Sequence, residues 1–401
     1  MFSTQVIETY CNLLRQAIGL QTPAENSIQL ETIKDMEELL RLCQIQGTAP
    51  LVFNEIISNT NLSVYVPNLV MLKSICMQNM MEYEHLLALL RKTWNGLVAG
   101  GVHPVVLKGF GLASLYPLPY LRQWGDLDIY VGPEQYHQAA EILRRVFPYA
   151  EHHDEEWEEL KHYNFVMPEG LVEMHRTAVK LDNPVDNRYF WRLEHEAMKS
   201  ENVQWAEIEN VRFAIPEAKF NLLFTFFHAW FHFIEGEVGL KQICDVALLA
   251  HYTYNQQVSV HSHQSIASYL RRHLRRLHLW EPWQLIGYVC VTALGLPKSE
   301  WPLYEEGGSQ LQAQRERFLQ HIMTNGLLRR NHSAAPGSYQ EEREKVKRMN
   351  IFARKWKTLI LRLRDARIIA PYSPKYAHHM VAGTFFKGIT RIITGAKMID
   401  Y

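Results

Sequence analysis

A small mixed-sheet α/β (α+β) core embedded between N-terminal and C-terminal helical regions is the fold class this sequence predicts. Apolar residues recur at three- and four-residue intervals over the first hundred positions and again beyond Pro216. Two short apolar runs, HPVVLKG and DLDIYVGP, are each stopped by glycine or Gly-Pro, as strands are. YNFVM and LVEMH flank Pro168-Glu169-Gly170 in the manner of a hairpin.

In chain order, MEELLRLCQIQG and MEYEHLLALLRKTWNGLVAGG have helical spacing, the second closing on a glycine pair suited to a C-cap. Between the two apolar runs, GLASLYPLPYL begins with helical spacing and ends in two prolines, which predicts a short helix and a turn. Pro133 opens an amphipathic helix through Phe147, and VRFAI reads as a further strand. AKFNLLFTFFHAWFHFI, LKQICDVALLAHY and IASYLRRHLRRLHLW then each read as a helix. Asn331 to Tyr339, rich in Ser, Pro, Gly and Ala, reads as a linker. The predicted units are a helical region at 1–100, an α/β core at 101–215, a helical domain at 216–330, and a linker with a basic amphipathic segment at 331–401.

Forty-two basic and forty-two acidic residues cancel, so any polyanion site must be a local patch rather than a property of the whole molecule. Five cysteines without CxxC spacing indicate neither a disulfide framework nor a zinc cluster, which fits a reducing cytoplasm. The first residues lack the basic-then-apolar order of a secretory leader. Leu222 to Ile234, the most apolar stretch, is shorter than the ~20 residues of a membrane span and holds two histidines. No transmembrane segment is expected.

Chemistry concentrates in VLKGFGLASLYPLPYLRQWGDLDIYV, residues 106–131. Asp126 and Asp128 are two apart, so on a strand both carboxylates leave the same face while Leu127 and Ile129 enter the core. Hard divalent cations such as Mg²⁺ or Mn²⁺ prefer such oxygens, and Glu173, flanked by Val172 and Met174, can add a third carboxylate with His175 beside it. Upstream, Gly109 and Gly111 permit close backbone approach to a phosphate, and Lys108 or Arg122 can neutralise it. An isolated DxD is usually a solvated turn; the combination with a Lys-Gly strand end and a later acidic strand is what points to metal-assisted transfer.

These residues resemble the uncharacterised nucleotidyltransferase family of the polymerase-β-like superfamily: LKG at Leu107 to Gly109, Tyr116-Pro117, Arg122, Asp126-x-Asp128 and Glu173-x-His175. The likeness covers about residues 100–180 and, more loosely, an apolar helix pair carrying His228 and Asp245. It implies Asp126, Asp128 and Glu173 as metal-binding and catalytic residues. It further implies a nucleoside triphosphate substrate, transfer of its monophosphate to a hydroxyl on a small molecule, sugar, RNA or protein, and release of pyrophosphate. Many superfamily members have Gly-Ser after the first strand, where this chain has Lys-Gly-Phe-Gly. A non-catalytic nucleotide-binding module and a kinase-like phosphotransferase are the alternatives.

Other signals have plainer readings. His228 and His232, four apart without the glutamate of HExxH, read as core histidines. His152-His153-Asp154 before EEWEE reads as a solvated loop, and Arg272 with His278 as a charged helix face. Arg343 to Arg367 is a basic amphipathic helix that packs on the body or touches RNA or an anionic surface.

Overall fold

The computed structural model describes residues 2–20, 32–151, 162–181, 183–235, 238–256, 260–329 and 351–394. The linker reading of 331–339, the stretch beginning His152-His153-Asp154 and the basic segment before residue 351 lie outside them. In chain order the elements are α1 (Thr4–Ala17), α2 (Ile33–Ile45), α3 (Ala49–Ser58), α4 (Leu69–Ala99), β1 (Val105–Val106), α5 (Lys108–Ala113), β2 (Asp126–Tyr130), α6 (Gly132–Val146), β3 (His162–Met167) and β4 (Gly170–His175). There follow α7 (Pro184–Ala197), β5 (Gln204–Ile208), β6 (Val211–Ile215), α8 (Ala218–Glu235), α9 (Leu240–Asn255), α10 (Val260–Arg276), α11 (Trp280–Thr292), α12 (Ser309–Asn325), α13 (Ile351–Ile369) and α14 (Pro374–Thr394). No helix among the described residues is long and apolar enough to cross a membrane.

A four-stranded mixed sheet has the order β1-β2-β4-β3, with β2 and β4 parallel and the other pairs antiparallel. Parallel neighbours need a crossover, and α6 supplies it. Alternation buries Leu127 and Ile129 of β2 beside Val172 and Met174 of β4. The hairpin expected at YNFVM and LVEMH forms β3 and β4. Its Gly170 adopts φ +149°, and a Cβ there would meet Leu86 Cδ2 at 2.9 Å, so backbone angle and space both require glycine.

Two elements differ from the simplest reading of the sequence, and a third, the expected strand VRFAI, forms outside the main sheet. HPVVLKG yields a strand of only two residues, because the chain turns into α5 immediately after Leu107, whose N–H still donates to Asp128 O at 3.1 Å. VRFAI is β6, paired with β5 in a separate two-stranded sheet. IASYLRRHLRRLHLW breaks at His278, which takes φ +57°. A continuous helix would set Leu277 and Leu279 about 200° apart around its axis; the break buries both.

Apolar contacts form two clusters. One joins the lower half of α4, the four-stranded sheet, α6 and the β5–β6 pair. In the other, α1, α2 and α3 pack with α8, α9, α11 and α12, so the start of the chain shares a core with its second half. Buried Gln46 ties them: its amide donates to Ile322 O at 2.9 Å, while its side-chain oxygen accepts from Leu240 N at 3.0 Å and its backbone carbonyl from Lys241 N at 3.1 Å. Space is so tight that a Cβ on Gly239 would stand 2.5 Å from Gln46 O. Gly239→Ala should therefore lower stability by about 1–3 kcal/mol through forced backbone displacement. Denaturant unfolding checks this, and an unchanged midpoint would refute the close approach.

Candidate active site

Register places the acidic side chains. Parallel pairing sets Asp128 opposite Glu173 and Tyr130 opposite His175, and β3 brings His162 opposite His175. Because successive side chains alternate, Asp126, Asp128, Glu173 and His175 share one face of the sheet. Ligand oxygens of Asp126, Asp128 and Glu173 lie within 4.8 Å of one another. Asp128 is 2% exposed, whereas the Asp126 side chain is 35% exposed at the mouth.

Three acids so close repel unless cations attend them. Lys108 Nζ stands 3.0 Å from Asp128 Oδ1 and 3.5 Å from Asp126 Oδ2. Burial works against its ammonium, but Asp128, Asp126 and Glu173 outweigh that and hold the pKa above the ordinary lysine value. Burial likewise opposes ionisation of Asp128, yet Lys108 and a hydrogen bond with His175 hold its carboxyl below the usual range. His175 Nε2 is 2.8 Å from Asp128 Oδ1 and 3.5 Å from Glu173 Oε2. Glu173, against the same penalty of burial, is held low by His175 and His162.

Local sequence explains how Lys108 arrives there. Phe110 packs on Trp124 with ring centroids 4.4 Å apart, and Tyr83 completes the nest at 5.2 Å from Trp124. This anchors the LKGF turn. Gly109 adopts φ +39°, and Gly111 packs so closely that a Cβ would lie 3.0 Å from Val106 O. Gly109 thus turns the chain, and Gly111 lets α5 rest on β1.

Arg122 is placed differently from the other predicted residues. It is 6% exposed, and its Nε and Nη2 donate to Asp245 Oδ1 and Oδ2 at 2.9 and 2.7 Å. Tyr116 OH donates to the same Oδ1 at 2.7 Å, and Asn79 Nδ2 donates to Tyr120 O and Arg122 O at 2.6 and 3.0 Å. A buried bidentate pair of this kind braces the loop entering β2 against α9 and α4.

Sequence reasoning missed two residues. His162 Nε2 lies 3.8 Å from Glu173 Oε1, and with His175 it completes a second set of ligand atoms within 4.8 Å. Extending the β3 alternation one residue earlier would have found it. Lys241, partly buried at the start of α9, makes no ion pair among the described residues and interacts electrostatically with Arg122, Asp245, Asp126 and Lys108. Burial foremost, then Arg122, lowers its ammonium pKa to about 8. Nothing local in LKQICDV announces this. His228 and His232 meet edge to face along α8 with their Nε2 atoms 3.1 Å apart, and neither belongs to a three-ligand set among the described residues.

Buried Asp128 Oδ2 has no hydrogen-bond partner among the described residues, and the Asp126-Asp128-Glu173 donors are all oxygen. An all-oxygen set in which one member also carries a buried, unpartnered carboxylate oxygen fits a hard divalent cation. A family model described as uncharacterised nucleotidyltransferase matches residues 33–294, which include every one of these side chains. No curated protein and no solved structure matches the chain.

Replacing one partner of the brace should be severe. Asp245→Asn leaves Arg122 buried without a counter-charge and should cost about 3 kcal/mol of unfolding free energy; parent-like stability by denaturant titration would contradict the pairing. Lys241 makes the opposite prediction. Its ordinary pKa is 10.5 and its folded value about 8, so folding penalises the ammonium fully below pH 8, progressively less up to pH 10.5, and not beyond. Lys241→Met should raise stability near neutrality, on the order of 1 kcal/mol after allowance for solvent screening, with the gain vanishing at high pH. A pH-independent difference would reject it.

Proposed function

Since the chain belongs to the uncharacterised nucleotidyltransferase family, we propose that it is a magnesium-dependent nucleotidyltransferase, with manganese able to replace magnesium. It moves a nucleoside monophosphate from a nucleoside triphosphate to a hydroxyl-bearing acceptor. The observation that carries this reading is the convergence of Asp126, Asp128 and Glu173 oxygens within 4.8 Å, beside a buried Asp128 Oδ2 that has no hydrogen-bond partner among the described residues. These three residues would hold the metal, which when bound supplies charge neutralisation for the phosphates and the attacking oxygen.

The acceptor oxygen bonds to the α-phosphorus, the link from that phosphorus to the β-phosphate oxygen breaks, and pyrophosphate departs. The acceptor's proton passes to Asp126, the carboxylate most open to solvent. His175, through its 2.8 Å contact, orients Asp128. Lys108 and Lys241 offer positive charge to the β- and γ-phosphates, and Gly109 keeps the backbone beside Asp126 low enough for them to approach. In this reading Arg122 serves phosphate indirectly, by fixing the loop that aims Asp126. The acceptor is a small molecule, a sugar, an RNA end or a protein side chain; the zero net charge weighs toward one without a long polyanionic chain.

Thermal unfolding with each nucleoside triphosphate tests the proposal. With Mg²⁺ the parent should be stabilised, by ~2.7 kcal/mol at a hundredfold excess over the dissociation constant. The Asp126→Ala/Asp128→Ala double variant should lose that shift. Pyrophosphate should appear only with the parent. Nucleoside diphosphate in its place would make the protein a phosphotransferase, and metal-linked binding with neither product would make it a binding module.

A further inference from the structure

The C-terminal helical hairpin is built of two oddly matched features. From Ile351 to Thr394 it carries nine Lys and Arg residues against a single acid, Asp365. Yet Trp356, Ile360 and Leu363, at helical spacing on α13, are 66, 50 and 45% exposed, and on α14 Phe385 and Phe386 are 51 and 63% exposed. An α-helix advances about 100° per residue. Phe385, Phe386 and Ile389 therefore leave α14 on the side opposite the buried Tyr376, Met380 and Thr384, which pack on the body. On α13 the Trp356 stripe is similarly turned from buried Ile369.

The hairpin is held firmly to the rest of the chain. His379 Nε2 makes a short contact with Asp186, whose other oxygen accepts from Arg276 at 2.8 Å. A Cβ on Gly383 would lie 2.7 Å from Asn183 Cβ. Immediately after Asn183 begins a groove of about 350 Å³ between α7 and α10, in which every charged lining residue among the described residues, Arg188, Arg192 and Arg276, is cationic. Arg188 and Arg192 are exposed and make no ion pair among the described residues. The cationic groove therefore opens beside the residues that attach α14 to the body.

We infer that α13 and α14, with the adjoining arginine groove, form a surface that docks peripherally on an anionic lipid bilayer. Exposed tryptophan and phenylalanine beside lysine and arginine match the boundary between headgroups and acyl chains, where rings enter the hydrocarbon edge and cations meet lipid phosphates. A soluble acidic partner would match the arginines and leave the rings in water. Spanning is excluded for the described helices by length and polarity. This inference does not depend on the catalytic proposal.

Sedimentation of the full chain with vesicles tests it. The protein should pellet with phosphatidylcholine vesicles containing phosphatidylglycerol, should not pellet with phosphatidylcholine alone, and should be released by salt. Phe385→Asp/Phe386→Asp should weaken that partition at least about tenfold, and Arg188→Glu/Arg192→Glu should weaken it while abolishing much of the salt dependence. Unaltered far-ultraviolet circular dichroism and thermal midpoint would show that each variant folds. Absence of pelleting, equal pelleting with neutral vesicles, or parent-like partition of the folded variants would overturn the proposal. So would a parent dimer that the phenylalanine substitutions dissociate while vesicles stay unbound, or retention by RNA and not by lipid.

Discussion

Everything at the candidate site depends on the parallel pairing of β2 with β4 in one register, the register that sets Asp128 against Glu173. A slip by one residue would turn every side chain to the opposite face, burying carboxylates among Leu127, Ile129, Val172 and Met174. Those four apolar residues therefore enforce the register, and the acids come with it. What remains is mutual repulsion in a partly desolvated place. Lys108 from the preceding turn and His175 from the same strand answer it with contacts of 3.0 and 2.8 Å.

Around this sheet the helices act as a brace. The Arg122–Asp245 pair connects the loop entering β2 with α9, and Asn79 fastens the same loop to α4. Two apolar clusters flank this seam, so helix packing beyond the sheet supports the loop that leads into Asp126. Lys241 sits at the same seam, a cation kept partly from water and left without an ion pair among the described residues. A neutral side chain of similar length would fold there more easily, so Lys241 is held at a cost to stability.

The parts of this site that were legible in the sequence are the local ones. Asp126, Asp128, Glu173 and His175 obey the two-residue period of a strand, and Pro168-Glu169-Gly170 marks the hairpin that aligns the last two. Lys108 was legible from its place at a strand end beside glycines. Partnerships across long sequence separations were not. Arg122 is 123 residues from Asp245, and nothing near either one shows that they are paired. Lys241 reads as an ordinary first-turn residue of an amphipathic helix. The β5–β6 pair and the break at His278 were obscure for a related reason: both are decided by which buried leucines and phenylalanines find room, not by local propensity.

Gln46 lends a different meaning to the limits of kinship. The stretch by which the family is recognised ends at residue 294 and begins at 33. Gln46 nevertheless relies on the carbonyls of Ile322 and Met323, and Thr48 beside it shares a 2.8 Å hydroxyl contact with Tyr10. A fragment trimmed to the recognisable stretch would keep all three carboxylates and open a wet seam beneath the start of α9. Residues outside the matched stretch, Tyr10 and the carbonyls of Ile322 and Met323, thus supply hydrogen bonds to side chains inside it.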